Sequence, residues 1–157
     1  MGPGIIRRGL SDMQLLRRPT LPIMPRLGER VSNTLTRGIR IEVLPTYHRE
    51  HSDPVRDYWF FSYTIQITNE GTEQVQLLSR HWVITDATGK TQHVKGPGVV
   101  GETPILAPGE AFSYTSFCPL KTSLGSMHGS FQMRSGTGDS FDALIDPFVL
   151  EDPETIN

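Results

Sequence analysis

Trp59-Phe60-Phe61-Ser62-Tyr63-Thr64-Ile65-Gln66-Ile67-Thr68, closed by Asn69-Glu70-Gly71, is the stretch on which the fold turns. Trp59, Phe61, Tyr63, Ile65 and Ile67 are apolar or aromatic, and the positions between them, Phe60 apart, are Ser, Thr and Gln. Successive side chains of a strand point to opposite faces, so a period of two marks a strand with one face in a core and the other in water. Ile39, Ile41 and Val43 alternate with Arg40 and Glu42 in the same sense. Val75 to Thr85 is apolar on both parities, so pattern does not define its inward face. Phe112 to Phe117, then Met127, Phe131 and Met133, then Phe141, Ala143 and Ile145 supply three more strands. Asn69-Glu70-Gly71, Ala87-Thr88-Gly89, Pro108-Gly109 and Gly136-Thr137-Gly138 are the turns between them. No window after Arg37 carries a helical period. About seven short strands separated by turns define an all-β chain, an antiparallel β-sandwich.

The 157 residues suffice for one domain with a tail. With 36% hydrophobic and 20% charged residues, the chain is neither a coiled coil, nor collagen-like, nor wholly disordered. No apolar run approaches the roughly 18 residues of a spanning helix, so no membrane association is expected. Net charge is −2, unevenly spread. Residues 1–36 hold six Arg against Asp12 and Glu29, for +4, whereas 37–157 hold nine basic and fifteen acidic residues, for −6. The body therefore has no basic excess for direct nucleic-acid binding.

Pro3, Pro19, Pro22 and Pro25 punctuate the first 35 residues. Only 5–18 offers an uninterrupted helix, which would gather Ile5, Ile6, Leu10, Met13 and Leu16 within an arc of about 140°. This Arg-rich, acid-poor segment resembles an organelle-targeting signal weakly and a secretory signal not at all. Residues 1–35 are accordingly read as a basic extension, either disordered or the product of a start site upstream of Met13 or Met24, with the domain at 36–157. A cytoplasmic location is expected.

Chemistry-bearing motifs are few. Gly96-Pro97-Gly98-Val99-Val100-Gly101 has the glycine spacing of a dinucleotide loop. Pro104 and Pro108 follow too closely for the helix that such a loop must open. Two readings remain: glycines that supply positive φ angles for a tight connection, or a nest of backbone N–H groups for an anion, which Lys95 and His93 just upstream would suit although Pro97 contributes no donor. His48 and His51 fall in a charged loop with Asp53. His81 and His93 sit on separate strands and could approach each other, although a partly buried, hydrogen-bonded histidine is the commoner case, and His128 lies on the face opposite Met127. No histidine set is expected to converge on a metal, and no cofactor is expected. Cys118 is the only cysteine, which excludes an internal disulfide and a Cys-based zinc site. Flanked by Phe117 and Pro119, it reads as a buried inert thiol. The acids Asp139, Asp142, Asp146, Glu151, Asp152 and Glu154 read as a solvated strand face and chain end. No catalytic residue is assigned.

Leu77-Leu78-Ser79-Arg80-His81-Trp82-Val83-Ile84-Thr85-Asp86-Ala87 resembles the signature of the bacterial ApaG family. So do Gly98-Val99-Val100-Gly101-Glu102-Thr103-Pro104, Pro108-Gly109-Glu110 with Phe112-Ser113-Tyr114-Thr115-Ser116, and Gly125 to Met133. The resemblance runs over about residues 36–150. It implies a fibronectin-III-like, immunoglobulin-like sandwich. It further implies a link to cobalt resistance and magnesium efflux, and genes neighbouring a diadenosine-tetraphosphate hydrolase and a ribosomal-RNA dimethyltransferase. Related domains in eukaryotic F-box proteins and in a DNA-polymerase-interacting protein look like protein-binding modules. A pyrophosphate or nucleotide site suggested for the family would fall here on Gly96, Gly98 and Gly101.

The expectation from the sequence is thus a non-enzymatic binding module whose partner is another protein. The alternatives are a sensor of phosphate-bearing small ligands at Lys95, Gly96, Gly98 and Gly101, and an undetected hydrolase.

Overall fold

The computed structural model describes residues 32–155. The reading of 1–31 as an extension, with its helix over 5–18, lies outside the described residues. Nine strands follow one another: β1 (Ser32–Thr36), β2 (Ile39–Tyr47), β3 (Trp59–Asn69), β4 (Val75–Asp86), β5 (Thr91–Pro97), β6 (Ile105–Leu106), β7 (Ala111–Leu120), β8 (Leu124–Ser135) and β9 (Ser140–Glu151). One sheet has the order β1-β2-β3-β7, and the other β5-β4-β8-β9 with β6 paired to β4. Every pairing is antiparallel.

The alternation read in the sequence is the alternation of burial in β2, whereas in β3 Ser62 and Gln66 of the face expected in water are buried as well, at 6% and 5% exposed. Ile39, Ile41, Val43, Phe61, Ile65 and Ile67 of the first sheet are at most 1% exposed, and they face Leu77, Met127, Phe131 and Met133 of the second. Burying each such side chain contributes about 1.5–3 kcal/mol. Trp82 links the two layers, its ring 5.2 Å from Tyr63 of the opposite sheet and 5.9 Å from Phe148.

Two strands go beyond the seven expected. The two-residue β6 is too short to show a period. The other, β1, has the sequence Ser-Asn-Thr-Leu-Thr, which has no apolar alternation. Ser32 to Leu35, assigned by sequence to the extension, belong to this strand and pair with β2. Their value lies in hydroxyls. Ser32 Oγ donates to the Asp146 carbonyl at 2.8 Å, the Asp146 N–H donates to Thr34 Oγ1 at 3.0 Å, and the Leu144 N–H donates to Thr36 Oγ1 at 3.2 Å. Side chains of one sheet's edge thereby satisfy the free backbone of the other sheet's edge.

The ambiguous parity of β4 has a physical cause. Its register with β8 shifts between Leu77 and Ser79, leaving Leu78 as an extra residue. Such a bulge reverses the faces of everything after it. Val75 and Leu77 point inward before it, and Trp82 points inward after it. A second shift, between Met127 and Gly129 of β8, sets Asp146 and Pro147 of β9 between the inward Ile145 and Phe148.

Candidate functional site

The glycine segment lies at the end of β5, against the bulge of β4. Ladder position places Gly96 opposite Arg80. A Cβ at Gly96 would come within 2.9 Å of the Arg80 guanidinium, so this glycine leaves room for that side chain. The guanidinium Nη1 donates to the carbonyls of Pro97 and Gly98, both at 2.9 Å. The Gly98 N–H donates to the Leu78 carbonyl at 2.8 Å, which fastens the loop to the bulged residue. Val99 and Glu102 then exchange two backbone hydrogen bonds, each 2.8 Å, around Val100 (φ 41°) and Gly101 (φ 83°). Positive φ at both central residues is the sign pattern of a type I′ turn. Valine is a costly occupant of that region, by about 1–3 kcal/mol. Packing of Val100 against the core offsets part of this.

Three N–H groups between 97 and 102 are therefore spent inside the protein, those of Gly98, Val99 and Glu102. Pro97 has none to offer. Lys95 is exposed and stands opposite His81 on the outer face of the sheet, where its charge acts on that histidine. The sequence did not single out Arg80 as the residue that holds the loop. Its pairing with a glycine depends on the register of β4 against β5, which no local pattern displays.

The outer face of the second sheet also gathers histidines. His81 Nε2 and His93 Nδ1 are 2.9 Å apart, with ring centroids separated by 5.1 Å. His93 and His128 both lie opposite Val83, one on each side of β4. The His81 pKa is lowered, first by partial desolvation, then by the charges of Lys95 and His93, with Asp142 acting the other way. His48 and His51 occupy the 3-10 turn Arg49–His51 and its N-cap, each close to the Glu50 carboxylate at 3.8 and 3.9 Å. His48 Nε2 also contacts Ser62 Oγ at 2.7 Å. Asp53 stands apart from them and pairs with Arg56.

Cys118 is buried, and burial pushes its thiol up to about 12, so it carries no thiolate at neutral pH. Among the acids near the chain end, Asp152 is 4% exposed and accepts from the Glu154 N–H at 3.0 Å, a capping role.

The β9 edge is closed by the β1 hydroxyls. Along β5 the edge bears His93, Lys95 and Pro97. The outer edge of β7 has no strand partner among the described residues, and its sequence, Ala-Phe-Ser-Tyr-Thr-Ser-Phe-Cys-Pro-Leu, contains no charge. The Asn69 N–H donates to the Glu110 carbonyl at 2.9 Å where β3 meets β7. Antiparallel ladders alternate, so the backbone groups of Ala111, Ser113, Thr115 and Phe117 turn outward. Pro119 falls in the same outward series, where its missing donor breaks no ladder bond. Beside this edge an aromatic strip lies on the outer face: Phe117 and Phe60 at 5.3 Å, Phe60 and Tyr58 stacked at 6.3 Å, and His51 edge-on to Phe60 at 5.7 Å.

Two antiparallel sheets packed face to face, with a mixed order of strands in each, define a fibronectin-III-like β-sandwich. Within that class, the family model described as the ApaG domain matches residues 49–135. The chain is 52% identical to Protein ApaG of Bradyrhizobium sp. (strain ORS 278) over 120 residues, covering 76% of this chain and 92% of that one. Protein ApaG of Methylobacterium sp. (strain 4-46) is 51% identical over 118 residues, 75% and 91% of the two chains. The crystal structure of a Bordetella pertussis protein described as ApaA superposes with a TM-score of 0.72 at 41% identity, over 84% of this chain and 98% of that one. This chain belongs to the ApaG family. The relatives' names carry no enzyme activity. Among the described residues, no helix is long and apolar enough to cross a membrane.

Proposed function

We propose that the chain is a non-enzymatic binding module that accepts an extended segment of a partner protein along the outer edge of β7. One observation carries this reading: a ten-residue edge strand with no charged side chain and no strand partner among the described residues, whereas the β5 and β9 edges are defended. Unpaired edges template the addition of another strand, and natural proteins blunt them with charge, proline or cover. Only Pro119, near one end, plays that part in β7. Main-chain hydrogen bonds from Ala111 to Phe117 would supply affinity, and the Phe60–Phe117 strip would read the partner's side chains on one face. The link to cobalt and magnesium homeostasis implied by the family resemblance, and a cytoplasmic location, are the setting we propose for this partnership.

The phosphate-sensor alternative has less support, because Gly98, Val99 and Glu102 donate inside their own turn. A hydrolase reading lacks a reactive thiol, since burial holds the single cysteine, Cys118, protonated.

The test is a photo-crosslinking residue placed at Ser113 on β7 and, separately, at Gln92 on β5 of the full chain in its own cells. We expect an adduct with a different protein from position 113 only, lost on Thr115→Pro, which deletes an outward N–H, and retained on Thr115→Ser. A homodimeric adduct, equal adducts from both positions, or none from position 113 would overturn the reading.

A further inference from the structure

We infer that His81 and His93 form a surface site for a first-row transition cation of the copper, nickel and zinc class, on the sheet opposite β7 and independent of the partner edge.

The geometry starts from the ladder. His81 stands opposite Lys95 and Val83 opposite His93, so the two histidines are diagonal neighbours on adjacent strands. Their backbones are held by the β4–β5 pairing rather than by a loop. At 2.9 Å, His81 Nε2 and His93 Nδ1 share one hydrogen, so at least one nitrogen presents a lone pair to the other. That lone pair is the group that ligates a metal. Two imidazole nitrogens held cis on one ion, each at about 2.0–2.1 Å, are separated by about 2.9–3.4 Å for bond angles between a right angle and a tetrahedral one. The observed separation falls at the near end of that bite. Modest rotation of each ring about its χ angles turns the lone pairs from each other onto a common ion.

The donor set fixes the class of ion. Two neutral imidazoles suit copper, nickel and zinc, whereas magnesium takes oxygen ligands and keeps its water. Among the described residues, no group of three His, Cys, Asp or Glu side chains is placed to hold an ion, so water fills the remaining positions. Of the charged neighbours, Asp142 on β9 favours a cation, while Lys95 on β5 and protonated His128 on β8 oppose one. Lys95 therefore weakens the site that it adjoins. This separates a cation site from an anion site at the same place, for which Lys95 would be a ligand.

Nickel(II) and copper(II), titrated into the full chain and followed through the imidazole proton resonances, test the inference. We expect His81 and His93 to broaden before His48, His51 and His128. The His81→Ala, His93→Ala double variant should weaken the tightest binding event by at least about tenfold. Lys95→Ala should strengthen it severalfold, and excess magnesium should leave it unchanged. Equal affinity in the double variant, weaker binding in Lys95→Ala, or displacement by magnesium would overturn it. The substitutions lie on a solvent-facing surface, and an unchanged thermal melt establishes that each variant is folded.

Discussion

The hydroxyl of Thr34 accepts the backbone N–H of Asp146 at 3.0 Å, across the seam between the two sheets. A side chain here does what a neighbouring strand does elsewhere. Thr34→Val keeps the shape and removes the acceptor, which should cost about 1 kcal/mol in chemical denaturation. A chain beginning at Arg37 should be about 2–4 kcal/mol less stable than one beginning at Ser32, since it loses all three hydroxyl contacts to β9. Equal stability of the two truncations would show that β1 contributes nothing to the sandwich.

Asn69 is wholly buried and fully paired. Its Nδ2 donates to the carbonyls of Glu73 (2.8 Å) and Leu106 (2.9 Å), and its Oδ1 accepts from the Gly71 N–H (2.9 Å). It thus ties the end of β3 to β6 and to the loop that leads from β3 into β4. Asn69→Ala strands these backbone groups, and Asn69→Asp sets a carboxylate against two carbonyls. We expect losses of about 2–4 kcal/mol for the alanine variant and more for aspartate at neutral pH. Urea midpoints measure both, and an aspartate variant as stable as alanine would count against the assigned amide orientation.

Gly98 and Gly89 both have positive φ, 58° and 90°, but only Gly98 is crowded. An alanine Cβ at 98 would lie 2.3 Å from the Glu102 carbonyl oxygen, whereas at 89 it meets nothing within 4 Å. Gly89→Ala should cost about 1–2 kcal/mol, the backbone term alone. Gly98→Ala should cost clearly more, because the Val99–Glu102 turn must open. With the Gly98, Val99 and Glu102 donors already spent, the turn should show no rise in melting temperature with millimolar pyrophosphate. A shift of several degrees, abolished by Lys95→Ala, would instead support the anion reading.

His81 titrates below the ordinary histidine value, because partial desolvation and the positive neighbours Lys95 and His93 disfavour its charged form. The folded chain therefore binds fewer protons at this site than the unfolded chain does. Its effect on stability is absent well above the unfolded pKa of about 6.5 and becomes unfavourable as pH falls through it. In proton NMR, His81 should titrate below 6.5, Lys95→Gln should raise its pKa, and Asp142→Asn should lower it further. A value above 6.5 in the native protein would contradict the arrangement of these four side chains.

How much of this was legible without coordinates follows from what each feature depends on. The alternation of Ile39 to Val43 and Trp59 to Ile67 is a one-strand property, so it gave those strands and their inward faces directly. β1 escaped because its contribution is made by Ser32, Thr34 and Thr36, which look the same whether they cap a neighbouring sheet or face water. Arg80 and Gly96 become partners only once the strands are in register. That register is set by the hairpin at Ala87 to Lys90 and has to be counted across two strands. The His81–His93 contact is likewise a diagonal across two strands, invisible to spacing along one. The positive φ at Gly98 and Gly101 was foreseeable from residue type, but the closing bonds of Val99 to Glu102 were not.

The extra residue at Leu78 sets which way the second half of β4 looks. Slide the chain by that one position and Trp82 would be handed to the solvent while His81 took its place among Tyr63 and Phe148. A deletion at Leu78 would thus act as an exchange of inside for outside over the rest of the strand, far more damaging than the loss of one half-buried leucine suggests. Natural length variation should accordingly be tolerated in the hairpin tip at Ala87 to Lys90 and refused at 78. The face that presents the histidines and the face that builds the core are two products of a single count.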